Sequence, residues 1–110
     1  MNKNDIFIIH GTDYKDMTIR LLHEAGLAEE IGDREKHIAL KPNLLGTMRP
    51  EDGATTHPEL VCGVIEYLQF HGFRHLSIME SSWVGERTSR SFAALGYTDI
   101  SEKYGVPLID

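Results

Sequence analysis

The chain has 110 residues, a length that allows one folded domain. Its composition, 41% hydrophobic and 25% charged, is typical of globular proteins and excludes a collagen-like or disordered chain. With 11 Lys and Arg against 17 Asp and Glu, the formal charge of −6 disfavours nucleic acid and anionic lipid as partners.

The amino-terminal sequence and the cysteine content indicate the cytoplasm. The apolar run at residues 6–9 is shorter than the core of a signal peptide, and no stretch approaches the roughly 18 apolar residues of a membrane-spanning helix. The lone Cys62 cannot form an intrachain disulfide. We therefore expect a cytoplasmic protein that binds no membrane.

The first half of the sequence alternates strand and helix patterns. Residues 5–10 form a β-branched apolar run, which predicts a strand buried in a parallel sheet. From Tyr14 to Ala25 the apolar residues recur four apart, which predicts a helix capped by Gly26. Residues 37–41 predict a second strand that ends at Pro42.

A long segment without a periodic pattern covers residues 42–57, and loops of this length are often functional. The helix that follows has three start signals: Thr56 as N-cap, Pro58 in the first turn and Glu59 as capping-box partner. Its apolar residues repeat at helical spacing until Gly72.

The second half predicts a strand at residues 74–80, short helices at 88–95 and 99–104, and a fourth strand at 106–110. This order predicts a single α/β domain with three α/β/α layers and a mostly parallel sheet of about four strands. Because no helix follows the last strand, we expect residues 1–110 to be a fragment of a larger α/β unit, or self-association through that strand.

Parallel strands place their carboxyl ends at one edge of the sheet, where open α/β proteins bind ligands. The predicted strands end at His10, Lys41 and Glu80, and these ends are therefore expected to lie together. Lys41 is placed to bind a carboxylate or phosphate, and Asn43 either joins it or makes an Asx-turn. Thr56 is a further ligand-binding candidate, although a helix cap explains it as well.

Two residues of this edge have the chemistry of catalysis or metal ligation. His57 precedes a helix, where an imidazole can act as a base or ligate a metal. Glu80 ends an apolar strand, and its carboxylate has the same two roles unless it only caps the loop. Ser81 and Ser82 follow as candidate ligand-binding hydroxyls, and Asp13 and Asp110 as further carboxylates.

Other patterns in the sequence give less evidence about function. Cys62 lies within the predicted second helix without a triad order around it, so it is interpreted as a packed thiol. His71 and His75 are separated by Gly72 and are not expected to share a helical face as zinc ligands do. The sequence has no GxxxxGK[ST] or GxGxxG loop and no GxSxG elbow, so nucleotide binding and α/β-hydrolase chemistry are not predicted.

The combination of IALKPNLL at residues 38–45, GATTHP at 53–58 and ESS at 80–82 resembles domain-of-unknown-function family 362. The resemblance covers nearly the whole chain. It implies the amino-terminal part of a larger α/β unit and an association with iron–sulfur modules, because ferredoxin-like cysteine clusters accompany many members. Since a cluster needs about four thiolates, Cys62 alone cannot hold one, and a cluster is expected only in a region outside these residues.

The resulting hypothesis is a strand-end crevice that binds a small anionic or metal-bound ligand in an iron–sulfur-associated redox protein. The alternative is a non-catalytic ligand-binding or assembly domain that uses the same crevice, so enzymatic activity stays an open question. Cysteine runs of the C-x₂-C-x₂-C type elsewhere in the gene would favour the redox interpretation.

Overall fold

The computed structural model describes residues 1–43, 56–79 and 96–109. Two compact units divide the chain, one made of Met1–Lys36 with Glu59–His75 and the other of His37–Pro58 with Leu76–Asp110. The helix predicted at residues 88–95 and the candidates Glu80, Ser81, Ser82 and Asp110 lie outside the described residues. Within these ranges, no helix has the length and apolarity that crossing a membrane requires.

The first unit is helical. It contains α1 (Tyr14–Ala25), α2 (Leu27–Ile31) and all but the first residue of α3 (Pro58–Phe70). The predicted bounds of α1 are confirmed, and Gly26 ends it with a φ of 70°, a left-handed conformation that glycine adopts without steric cost. At the other end, the Asp13 side chain accepts the Asp16 N–H, which satisfies one of the donors that a helix start leaves unpaired.

Close packing joins α1 and α3 within this unit. A Cβ at Gly63 would lie 2.8 Å from both the Lys15 carbonyl oxygen and the Thr18 Cβ, so only glycine lets the helices approach this closely. One turn further, the Lys15 ammonium lies 3.2 Å from a carboxylate oxygen of Glu66. The buried apolar residues of the unit come from α2, α3 and the chain after α3: Ala28, Val61, Ile65, Tyr67, Leu68 and Phe73.

The prediction of a strand at residues 5–10 is wrong. This segment pairs with no strand in the described parts of the chain, and the side chains of Ile6 and Ile8 are 85% and 75% exposed. A β-branched sequence favours extended backbone, but a strand also needs a neighbour that accepts and donates its hydrogen bonds. His10 therefore does not mark the tip of a sheet strand.

The second unit contains a parallel sheet of three described strands in the order β1-β2-β3. The strands are β1 (Ile38–Leu40), β2 (Leu76–Met79) and β3 (Leu108–Ile109). Ile38 pairs with Leu76, and Ile78 pairs with Leu108. The predicted α/β class and the parallel pairing of the last three predicted strands are confirmed, whereas the described sheet has three strands rather than about four.

A short helix leads into the last strand. The helix, α4 (Tyr97–Tyr104), begins two residues earlier than the pattern predicts, and it buries Tyr97 and Ile100. After Gly105, the Val106 N–H donates to the Ser101 carbonyl, and the Ser101 hydroxyl donates to the Val106 carbonyl at 2.6 Å. These bonds fold the chain back from α4 into β3.

Candidate functional site

The carboxyl end of β1 carries the first group of predicted site residues. Lys41, Pro42 and Asn43 follow Leu40 directly, and Pro42 is buried between two exposed neighbours. Proline has no N–H to donate to a neighbouring strand, and the strand ends at Leu40, one residue before the predicted end at Lys41. Its buried ring anchors the backbone here, while Lys41 and Asn43 stay accessible to solvent.

Two backbone hydrogen-bonding groups of Asn43 bind Thr56. The Asn43 N–H donates to the Thr56 hydroxyl oxygen at 2.8 Å, and the Thr56 N–H donates to the Asn43 carbonyl at 2.7 Å. The two residues are 13 positions apart in the sequence. This pair of bonds, the Asn43–Thr56 clasp, brings together the two ends of the segment that the sequence identified as a long functional loop.

The start of α3 carries the second group. The helix begins at Pro58, so His57 rather than Thr56 immediately precedes its first residue. The observed helix thus begins two residues after Thr56, the residue that the sequence predicts as its N-cap, and Glu59 is the second helical residue. The Thr56 hydroxyl accepts from Asn43, which lies outside the helix. Pro58 is confirmed in the first turn, where a missing N–H costs nothing.

Residues beside the clasp carry groups that suit an anion. Lys41 contributes a positive charge, Asn43 an amide, and the half-buried His57 an imidazole at the amino end of a 13-residue helix. The amino end of a helix carries partial positive charge and favours anions. A neutral imidazole is also a common metal ligand, so the same groups can receive an anion or a metal that carries one.

Two other candidates do not join this group. His10 belongs to the exposed amino-terminal segment, and Asp13 caps α1 in the helical unit. Asp13 is thus engaged in capping a helix rather than in holding a metal at a strand tip. Within residues 1–43, 56–79 and 96–109, no group of three or more His, Cys, Asp or Glu side chains is arranged to bind a metal.

Sequence reasoning selected both partners of the clasp but missed their contact. It interpreted Asn43 as an Asx-turn or a ligand-binding residue and Thr56 as a helix cap or a ligand-binding residue, each from its local neighbours. The available signal was their position, because both lie at the ends of the same long segment. A short polar residue at each end of a loop is able to close it by backbone hydrogen bonds.

Part of the chain matches a known protein family. Residues 38–110 match a family model described as Domain of unknown function (DUF362). The matched region begins at the first residue of β1 and includes Lys41, Asn43, Thr56 and His57. No curated protein and no solved structure shows significant similarity to the chain.

Proposed function

For this chain, which belongs to the DUF362 family, we propose a binding site for a small anionic or metal-bound ligand, formed by the residues after β1 and before α3. The observation that carries the proposal is the Asn43–Thr56 clasp. It supports the site because it holds two short polar segments side by side that the sequence separates by 13 residues.

The clasp fixes the backbone near the two residues, Lys41 and His57, that carry the main functional groups. Lys41 is two residues before Asn43, and His57 is one residue after Thr56, so both side chains originate next to the hydrogen-bonded pair. In the ligand complex, the Lys41 ammonium neutralises the anion, while the Asn43 amide and the Thr56 hydroxyl donate hydrogen bonds to it. His57 ligates the metal or accepts a proton from the ligand.

The proposed site also includes Glu80, Ser81 and Ser82 on the basis of the sequence. These residues follow β2, which is the parallel neighbour of β1. Glu80 is the second candidate for proton transfer or metal ligation. We extend the proposal to a larger sheet with helices on both faces, because open α/β proteins bind ligands at such strand ends.

An iron–sulfur cluster does not fit the donor set of this chain. The single cysteine, Cys62, is half-buried on α3, whereas a cluster needs about four thiolates. The proposed redox association therefore involves thiolates that residues 1–110 do not supply. The non-catalytic alternative uses the same ligand site without proton transfer by His57 or Glu80.

Ligand titrations followed by NMR test the binding site. Inorganic phosphate, succinate, Mg²⁺ and Mn²⁺ are each added to the protein, and the amide shifts of Asn43, Thr56 and His57 are recorded. We expect saturable shifts with at least one anion, alone or together with a metal. Lys41→Met is expected to weaken anion binding about tenfold, which corresponds to the roughly 1.4 kcal/mol of one charge-assisted hydrogen bond.

Matched control variants distinguish binding at the proposed site from a general effect of the protein's charge. Lys103→Met removes an exposed lysine of α4, and His37→Ala removes the histidine that precedes β1 rather than the one that precedes α3. Both controls are expected to bind as the wild type does, whereas His57→Ala loses metal-dependent binding. Equal affinity of the Lys41 and Lys103 variants, or no saturable shift with any of the four probes, would overturn the proposal.

A further inference from the structure

A pocket of about 350 Å³ lies between the carboxyl-terminal halves of α1 and α3, within the helical unit. This volume is within the range of small-molecule sites. Its lining includes Ile19, His23 and Glu24 from α1, and Glu66, Tyr67 and Phe70 from α3. None of these residues belongs to the proposed strand-end site.

Aromatic rings form one side of the pocket. The Tyr67 side chain is almost fully buried, and its ring centre lies 4.5 Å from that of His71, which also lines the pocket. Phe70 packs edge-on against His71 with a centre-to-centre distance of 5.3 Å. Yet Phe70 is 86% exposed, so most of its ring is available to a ligand. The faces of aromatic rings carry partial negative charge and attract cations.

The charges around these rings favour a positive ligand. The formally charged side chains in the lining are Glu24, Glu66 and Arg20. Glu66 already lies 3.2 Å from the Lys15 ammonium, so Glu24 is the carboxylate on which the proposal rests. The Arg20 guanidinium already lies 3.9 Å from the carboxylate of Asp16. In addition, α1 and α3 both end beside the pocket, and helix carboxyl ends carry partial negative charge.

We propose that this pocket binds a small organic cation with an apolar body, such as an arylalkylammonium or alkylammonium compound. The ammonium group lies over the Phe70 ring near Glu24, and the apolar body contacts Ile19 and Tyr67. An aromatic carboxylate of the same size is repelled by the Glu24 carboxylate and by the two helix carboxyl ends. The overall charge of −6 further attracts a cation to the surface.

Three ligands of similar size and different charge test the proposal. The probes are 2-phenylethylammonium, 2-phenylethanol and 3-phenylpropionate, titrated into the full chain while the NMR signals of Tyr67, Phe70 and His71 are followed. We expect saturable binding of the cation, at least threefold weaker binding of the alcohol, and still weaker binding of the carboxylate. Carboxylate binding as tight as cation binding, or no saturable shift with the cation, would overturn the proposal.

Variants locate the binding groups. Phe70→Ala and Glu24→Gln change exposed side chains, and each is expected to weaken cation binding about threefold or more, the scale of one exposed cation–π or ion contact. Phe7→Ala and Glu29→Gln are the matched controls, because these residues are exposed and do not line the pocket. Thermal melts verify that all four variants fold. If the Phe70 variant binds the cation as tightly as the Phe7 variant does, the proposed site is wrong.

Discussion

The Tyr67 hydroxyl accepts a hydrogen bond from the backbone N–H of Ala28 at 2.9 Å, across 39 residues of sequence. Both residues are buried. Ala28 is the second residue of α2, and the N–H groups of a first helical turn have no partner inside their own helix. A tyrosine of α3 thus supplies the acceptor that α2 lacks, and it ties the two helices together.

Tyr67→Phe is expected to lower the free energy of unfolding by about 1–3 kcal/mol, because it leaves the buried Ala28 N–H without an acceptor while the ring still fills its place. Urea denaturation at equilibrium measures the change. Tyr14→Phe is the control, since Tyr14 is 39% exposed and its change should stay within about 0.5 kcal/mol. Equal stability of the two variants would contradict a structural role of the hydroxyl.

Arg34 joins three backbone carbonyls of the helical unit. Its guanidinium donates to the carbonyls of His71, Ala28 and Gly32, and it lies 4.6 Å from the centre of the Phe73 ring. Arg34→Lys keeps the charge but loses the planar set of donors, so we expect a loss of about 1–2 kcal/mol. Arg20→Lys, at an exposed site on α1, should change the urea midpoint little. If both variants unfold at the same urea concentration, the planar geometry of the Arg34 guanidinium contributes nothing to stability.

Gly63→Ala tests the contact between α1 and α3. Alanine favours a helix by about 1 kcal/mol over glycine, but its Cβ would lie 2.8 Å from the Lys15 carbonyl oxygen, which belongs to the backbone and has little freedom to move. Overpacking of this kind costs about 1–3 kcal/mol, so a net loss is expected. Gln69→Ala, at an exposed position of α3, is the control for helix preference. A higher melting temperature for the Gly63 variant would show that the helices separate without cost.

Thr56→Val removes the hydroxyl that accepts from Asn43 and keeps the shape of the side chain. We expect a loss of about 1 kcal/mol in stability and weaker anion binding, because the Asn43 N–H loses its acceptor and only the bond from the Thr56 N–H to the Asn43 carbonyl still joins the two ends of the segment. Thr56→Ser keeps the acceptor and serves as the control. The strand-end proposal requires that the Thr56→Ser variant binds phosphate or succinate more tightly than the Thr56→Val variant, and the reverse order would contradict it.

The helices α1 and α3 could be predicted because their signals are local. The bounds of α1 follow from the spacing of Met17, Leu21 and Ala25 and from the glycine after them, and these residues lie within a few turns of each other. The apolar repeat of α3 similarly predicts a helix, although the start of that helix was displaced from Thr56. Helix hydrogen bonds close within four residues, so sequence neighbours decide most of the outcome.

Strand pairing and the long-range hydrogen bonds depend on residues that are distant in the sequence. Residues 5–10 have a strand-forming composition, yet no described strand pairs with them, whereas the short β1 and β3 form because β2 offers hydrogen bonds on both sides. The contacts of Asn43 with Thr56 and of Ala28 with Tyr67 likewise join positions 13 and 39 residues apart. The sequence by itself therefore determined α1, α3 and most of α4, the parallel α/β class and the chemical types at the candidate site, whereas it predicted no helix at α2. Only tertiary structure decided which of those groups meet, because chain folding sets the distances between remote residues.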